Sequence, residues 1–260
     1  MAKIAPFAER QDLMRVDTVD KVFPGDVQAL RAMSLAVREG DFISLLGPSG
    51  CGKSTALRLI AGLSAPTNGR IEWAKTREKG DLGVVFQEPT LMPWATVAQN
   101  VFLPFRLEGN SYASVRDDIL QVLKLVGLDK FQNAYPRELS GGMKMRVSIA
   151  RAMVTQPKLI LMDEPFAALD EITRFKLNND LLEMQARIGC TVIFVTHSVF
   201  ESVFLSDRIV VMAARPGRVI KEVHVDAPYP RDEAFRTSAE YAAHCRAASQ
   251  ALELAMEPAA

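Results

Sequence analysis

The nine residues from Gly47 to Thr55, Gly-Pro-Ser-Gly-Cys-Gly-Lys-Ser-Thr, have the types and spacing to hold a chain of phosphates. They satisfy G-x-x-x-x-G-K-[ST], with an apolar strand-like run, Phe42 to Leu46, before them and a helix-like run, Thr55 to Leu63, after them. A triphosphate needs many donors converging on a small volume, and Gly47, Gly50 and Gly52 let the backbone wrap that closely. Pro48, Ser49 and Cys51 complete the loop. Its successive amides form an anion nest at a helix N-terminus, where unpaired N–H groups and the helix dipole both favour negative charge. Lys53 adds a full positive charge for the β- and γ-phosphates. Ser54 offers a hydroxyl to Mg²⁺, a hard cation that prefers oxygen and keeps several waters.

A second set of candidates stands at the ends of apolar runs. Asp163 and Glu164 close the run Leu159-Ile160-Leu161-Met162. Adjacent side chains of an extended chain point different ways, so Asp163 is assigned to the metal and Glu164 to a water attacking the γ-phosphate. Gln87 ends the run Leu82 to Phe86, and His197 follows Thr191 to Val195. In an open α/β sheet these ends fall at the carboxyl edge, where ligands bind; taken singly, Gln87 also reads as a loop residue and His197 as a structural one. Ser140 is a natural N-cap for a helix reaching about Met153, and Gly141 and Gly142 leave its amides uncovered, a second candidate anion site. Phe23 is open to two readings, a core aromatic or a ring that stacks on adenine.

These residues need strands and helices to place them. Val16, Val19, Val22, Phe23, Leu35 and Val37 lie in short, partly alternating segments read as paired strands, and Gly69 to Trp73 reads as another. From Glu88 to Glu138 prolines and Gly109 give way to a helical stripe, Val115, Ile119, Val122, Leu123 and Val126, with Gly127 as C-cap. This predicts a mostly helical insertion. Its Leu91-Met92-Pro93-Trp94 is apolar for a loop, and either packs under the insertion or forms a docking patch. Asp170 leads into a helix with Phe175, Leu182 and Ile188 as core-facing candidates and Gly189 as terminator; a strand over 208–212 and a helix over 238–256 complete the expectation.

Composition sets outer bounds. The 260 residues carry 31 Lys plus Arg against 31 Asp plus Glu, so no global basic footprint for nucleic acid exists. Hydrophobic residues at 48% and charged ones at 24% match a globular protein with a substantial core. The first fourteen residues, broken by Lys3, Pro6, Glu9, Arg10 and Asp12, do not read as a secretory leader, and no run approaches the ~20 apolar residues of a spanning helix. Cys51, Cys190 and Cys245 are an odd number at wide spacing, which argues against a disulfide framework and a C-x-x-C metal site.

With Gly47 to Thr55, Gln87, Leu139 to Gly142, Leu161 to Glu164, Asp170 and His197 in this order, the chain resembles the nucleotide-binding subunit of an ATP-binding-cassette transporter. The resemblance implies a P-loop NTPase core of α/β class, with a flanking antiparallel β subdomain and an inserted helical subdomain. It implies a cassette over 12–225, helical at about 88–153, and a tail over 226–260. Phe23 matches the adenine-stacking position, Gln87 the Q-loop and a further metal ligand, and Ser140 to Gly142 the signature. Asp163 and Glu164 match the Walker B end and catalytic base, Asp170 the D-loop and His197 the switch histidine. Met143 stands where the signature usually has Gln, and Ala167 where the D-loop usually begins with Ser. The implied activity is Mg²⁺-dependent ATP hydrolysis by two copies sandwiching two ATP molecules head to tail. The implied partners are a transmembrane permease, through which a periplasmic or lipid-anchored binding protein acts, and no nucleic acid. The implied place is peripheral, on the cytoplasmic face of the membrane. Within the family the chain looks like the importers of nitrate, sulfonates and taurine. A soluble cassette acting on ribosomes or DNA is the alternative, and a P-loop GTPase lacks its N-K-x-D here.

Overall fold

The computed structural model describes residues 10–229 and 231–256; the reading of the first fourteen residues therefore falls, for residues 1–9, outside the described residues. In chain order the strands are β1 (Asp12–Phe23), β2 (Val27–Arg38), β3 (Phe42–Leu46), β4 (Asn68–Trp73), β5 (Leu82–Val85), β6 (Leu159–Asp163), β7 (Thr191–Thr196), β8 (Arg208–Ala213) and β9 (Arg218–His224). The α-helices are α1 (Lys53–Ile60), α2 (Val97–Leu107), α3 (Arg116–Leu125), α4 (Gly141–Met153), α5 (Glu171–Ile188), α6 (Val199–Leu205), α7 (Glu233–Arg236) and α8 (Ala239–Met256). The chain divides into two compact units, one over Glu78–Cys190 and one formed, within the described residues, by 10–77 and 191–256.

In the second of these, β1 pairs antiparallel with β2 and β4 in the order β2-β1-β4. Met14, Val16, Val19, Leu30, Met33, Leu35 and Val37 are buried, as alternating strands with one covered face require. A parallel set, β7-β3-β8, continues into antiparallel β9. Every residue of β3, β7 and β8 is buried, so these strands read as near-continuous apolar runs. At the start of β3 the fully buried Asp41 carboxylate accepts hydrogen bonds from Arg10 at 3.0 Å, Arg208 at 2.9 Å and the Arg38 N–H at 3.0 Å. A charge taken out of water is thereby paired on several sides.

The C-terminal helix α8 turns Tyr241, Cys245, Ala248, Ala251 and Ala255 inward, a helical stripe of mostly small residues, and packs on α6, β8 and β9. Buried Arg231 fastens the segment leading to it. Its Nη1 donates to the carbonyls of Val203, Phe204 and Ser206, its Nη2 to those of Val225 and Ala227, all at 2.8–3.2 Å. The first two belong to the last turn of α6, whose carbonyls lack helical partners.

The Glu78–Cys190 unit has β5 parallel to β6, with Leu82 beside Leu159, and four α-helices. The stripe expected over 115–126 is a 3-10 turn, Ala113–Val115, followed by α3, and Gly127 takes φ 67° at the helix end. On α5 the buried apolar residues are Leu177, Leu181, Leu182 and Met184. Leu182 meets its core assignment. Phe175, at 39% exposure, does not, because it precedes the covered stretch; Ile188 is only half-buried, as the last residue before the Gly189 turn. Cys51, Cys190 and Cys245 are buried free thiols, and burial pushes that of Cys190 up to about 12. Among the described residues no helix is long and apolar enough to cross a membrane.

Candidate nucleotide site

The P-loop joins β3 to α1, and its geometry explains its glycines. A Cβ on Gly47 would lie 2.5 Å from the Met212 carbonyl oxygen of β8, closer than real atoms approach. Gly52, the residue that caps α1, adopts φ 90°, and a Cβ there would meet Leu30 Cδ2 at 2.7 Å and Ala29 O at 2.8 Å. Glycine is the residue that takes such a conformation in such a space. No side chain hydrogen-bonds as a cap to α1 and no acid stands in its first turn, and the positive end of the helix dipole is turned to the loop.

Lys53 is 5% exposed, and its Nζ donates to Gly47 O at 2.7 Å and Pro48 O at 3.0 Å. The side chain thus curls back over the loop and holds its charge against it. Burial pushes the neighbouring Cys51 thiol up, with the charge of Lys53 pulling the other way. The same unit holds Phe23 at the end of β1, where it is 37% exposed with Lys21 Nζ 5.2 Å from the ring centre, and His197, exposed just beyond β7. Ser198, next in the chain, caps α6 by accepting the Glu201 N–H at 3.3 Å.

The other candidates lie in the Glu78–Cys190 unit. Gln87 is exposed two residues after β5. Asp163 ends β6, and both it and Glu164 are half-buried. Here the local reading needs a correction: Glu164 is not extended but left-handed, with φ 46°, and its carbonyl accepts the Ala167 N–H at 3.2 Å. What separates the two carboxylates is therefore a turn at the strand end, not the alternation of a strand. A non-glycine residue in this region is strained, and such strain gathers at functional sites.

Ser140 caps α4 by accepting the Met143 N–H at 3.3 Å, and Asp170 caps α5 by accepting the Thr173 N–H at 2.9 Å. That backbone hydrogen bond holds the Asp170 carboxyl below the usual carboxylate range. The structure brings these two caps together: a Cβ on Gly142 would meet Thr173 Cγ2 at 2.8 Å, and one on Gly141 would touch Leu169. Spacing in the sequence could not show this neighbourhood.

Two further residues escaped the motif reading. Asn100 is fully buried on α2, and Arg151 reaches from α4 to the segment after Gln87. A lone polar residue on the apolar stripe Val97, Ala98, Val101 was the available signal for Asn100.

Among the described residues no three His, Cys, Asp or Glu side chains form a metal-holding group. The side chains that the resemblance assigns to a metal, Ser54, Gln87 and Asp163, each carry an oxygen. Oxygen is the ligand type of Mg²⁺, which is held by one or two protein ligands, waters and substrate phosphates and not by a protein cage.

The ABC transporter family model matches residues 30–167. A nitrate import ATP-binding protein of Synechocystis is 43% identical over 83% of this chain and 83% of its own length. An aliphatic sulfonates import ATP-binding protein of Pseudomonas syringae is also 43% identical, over 85% of this chain and 90% of its own. Among solved structures, a dimeric ATP-binding cassette in a post-hydrolysis state with ADP and Pi superimposes with a TM-score of 0.71 at 32% identity, covering 83% of this chain and all of that one. With its P-loop, capped signature helix and acid-tipped strand, this chain belongs to the ABC transporter family as an ATP-binding subunit, an ATPase coupled to transport.

Proposed function

We propose that the chain energises import of a small solute of the nitrate or sulfonate class through a separate transmembrane permease, as one of two copies in an ATP-dependent dimer. The observation that carries the importer reading is the likeness, over more than four-fifths of the chain, to import subunits for those two kinds of anion. The cassette takes residues 12–225, with its helical part at about 88–153 and the tail at 226–260.

In this reading the amides of Gly47–Thr55 and the first turn of α1 bind the phosphates, and Lys53 exchanges its Gly47 and Pro48 carbonyls for phosphate oxygens. Phe23 stacks on the adenine. Ser54, Gln87 and Asp163 hold Mg²⁺, which draws charge from the phosphate oxygens when bound. Glu164 takes a proton from, or orients, the attacking water, and His197 steadies the γ-phosphate as it leaves. Ser140, Gly141, Gly142 and Asp170 face the nucleotide of the second copy. The γ-phosphate then bridges two copies, and its loss releases them.

Trp94, 75% exposed beside exposed Pro93, favours the docking reading of its loop over the packing one. We assign that patch to the permease, which places the chain peripherally on the cytoplasmic face of the membrane, with a solute-binding protein acting through the permease. Detergent solubilisation of the native membrane, capture of this chain and identification of its companions tests the proposal. A permease with a solute-binding protein is expected; ribosomal or DNA-repair companions without a permease would overturn it.

A further inference from the structure

We propose that Arg151 is a positioning residue that ties the segment after Gln87 to the signature helix, so that engagement of the Trp94 loop is felt at Ser140–Gly142. The inference rests on the preceding assignment of Trp94 to the permease and of the signature to nucleotide.

Arg151 lies in the last turn of α4. Its Nη1 donates to Thr90 O at 2.9 Å, and its Nη2 to Pro89 O at 2.9 Å and Thr90 Oγ1 at 3.1 Å. The fork of one guanidinium thus grips three acceptors on two consecutive residues, a grip that a lysine's point charge does not reproduce. Burial draws the guanidinium down from its ordinary pKa, so the contact is made against a desolvation cost.

The gripped residue is itself unusual. Thr90 is β-branched yet sits at φ 46°, a conformation that persists where its surroundings impose it. Release of that grip would let Thr90 relax to a negative φ. The far end of the same loop is held by Asn100. Its Oδ1 accepts the Met92 N–H at 2.8 Å, and its Nδ2 donates to the carbonyls of Met92, Ala95 and Thr96 at 3.0–3.2 Å. Thr96 and Gln99 form a capping box that fixes the start of α2. Bonded at both ends, the loop leaves Pro93 and Trp94 outward, and Asn100 and Arg151 are side chains through which force on Trp94 passes to the helices. Arg151 is itself part of α4, an unbroken helix that carries a displacement about 16 Å along its axis to Ser140. A helix ended by a contact that can be made or released is a physical basis for coupling between sites.

The test uses the full chain reconstituted in vesicles with the membrane partner that co-purifies with it, compared with the isolated chain. Arg151→Met is expected to lower ATP turnover of the complex roughly tenfold, while KM for ATP, retention on the partner and turnover of the isolated chain stay within about twofold. Arg151→Lys is expected to recover part of the loss. Thr90→Gly removes the strained residue from an exposed loop without threatening the fold, and is expected to lower turnover of the complex about threefold. Equal losses in complex and isolated chain would make Arg151 a staple of the fold and overturn the inference; so would unchanged turnover of the complex. If Arg151→Met does not fold, Thr90→Gly decides. Failure of the underlying reading looks different: the wild-type chain then recovers no membrane partner, or turns over equally with and without it.

Discussion

At the scale of single residues, the candidate site is a set of exact positions for charge. Lys53 carries its ammonium to within 2.7 Å of the Gly47 carbonyl, so its removal deletes a cation and leaves two loop carbonyls without it. Lys53→Ala is expected to weaken ATP binding about tenfold or more, the worth of a charge-assisted hydrogen bond, as read by equilibrium titration. Unchanged affinity would misplace the phosphates. Glu164 stands on a strained turn at the end of a buried strand, a place that fixes a carboxylate without extending the sheet. Glu164→Gln keeps the side chain's size and loses its basicity. Turnover is expected to fall about 100-fold or more with ATP affinity retained, and undiminished turnover would remove Glu164 as the base.

At the scale of elements, two segments show how a loop is given a function by what holds it. The loop before α2 is pinned from behind by Asn100, which frees Trp94 to face outward. Trp94→Ala is expected to spare nucleotide binding and thermal stability but to loosen permease association, read as loss of the permease from the captured complex. An intact complex would leave Trp94 without a docking role. The tail is the second case. Arg231 bridges five carbonyls of two segments and delivers the chain to α8, whose small-residue stripe lies on α6 and β8. Arg231→Met retains bulk but orphans those carbonyls, and is expected to cost about 3 kcal/mol in urea unfolding. A cost near zero would show the tail to be an appendage and not part of the unit it packs on.

At the scale of the whole molecule, one P-loop and one signature per chain require a second copy for a complete pair of sites, in the reading proposed above. Glu164→Gln with Mg²⁺ and ATP is expected to sediment as a dimer and to revert to monomer with ADP; a monomer under both conditions would sink the sandwich. Much of this protein was legible in its sequence. The P-loop glycines, the Ser140 cap and the apolar runs leading to Asp163 and to Val195 obey rules that act over a few residues: a left-handed φ, an oxygen three positions before an amide, an unbroken apolar run. Such rules are written locally, so the sequence by itself determined the cassette's family and the places of its glycine loop, helix cap and acid-tipped strand. Only the tertiary structure decided that Trp94 is exposed, that Phe175 lies outside the core, that Glu164 leaves the strand by a left-handed turn, and that Gly142 abuts Thr173. It alone paired Arg151 with Thr90 and Arg231 with α6, across 61 and 27 positions of chain. The physical reason is the same in each case: burial and hydrogen-bond partnership depend on which distant segments meet, and no local pattern encodes that meeting.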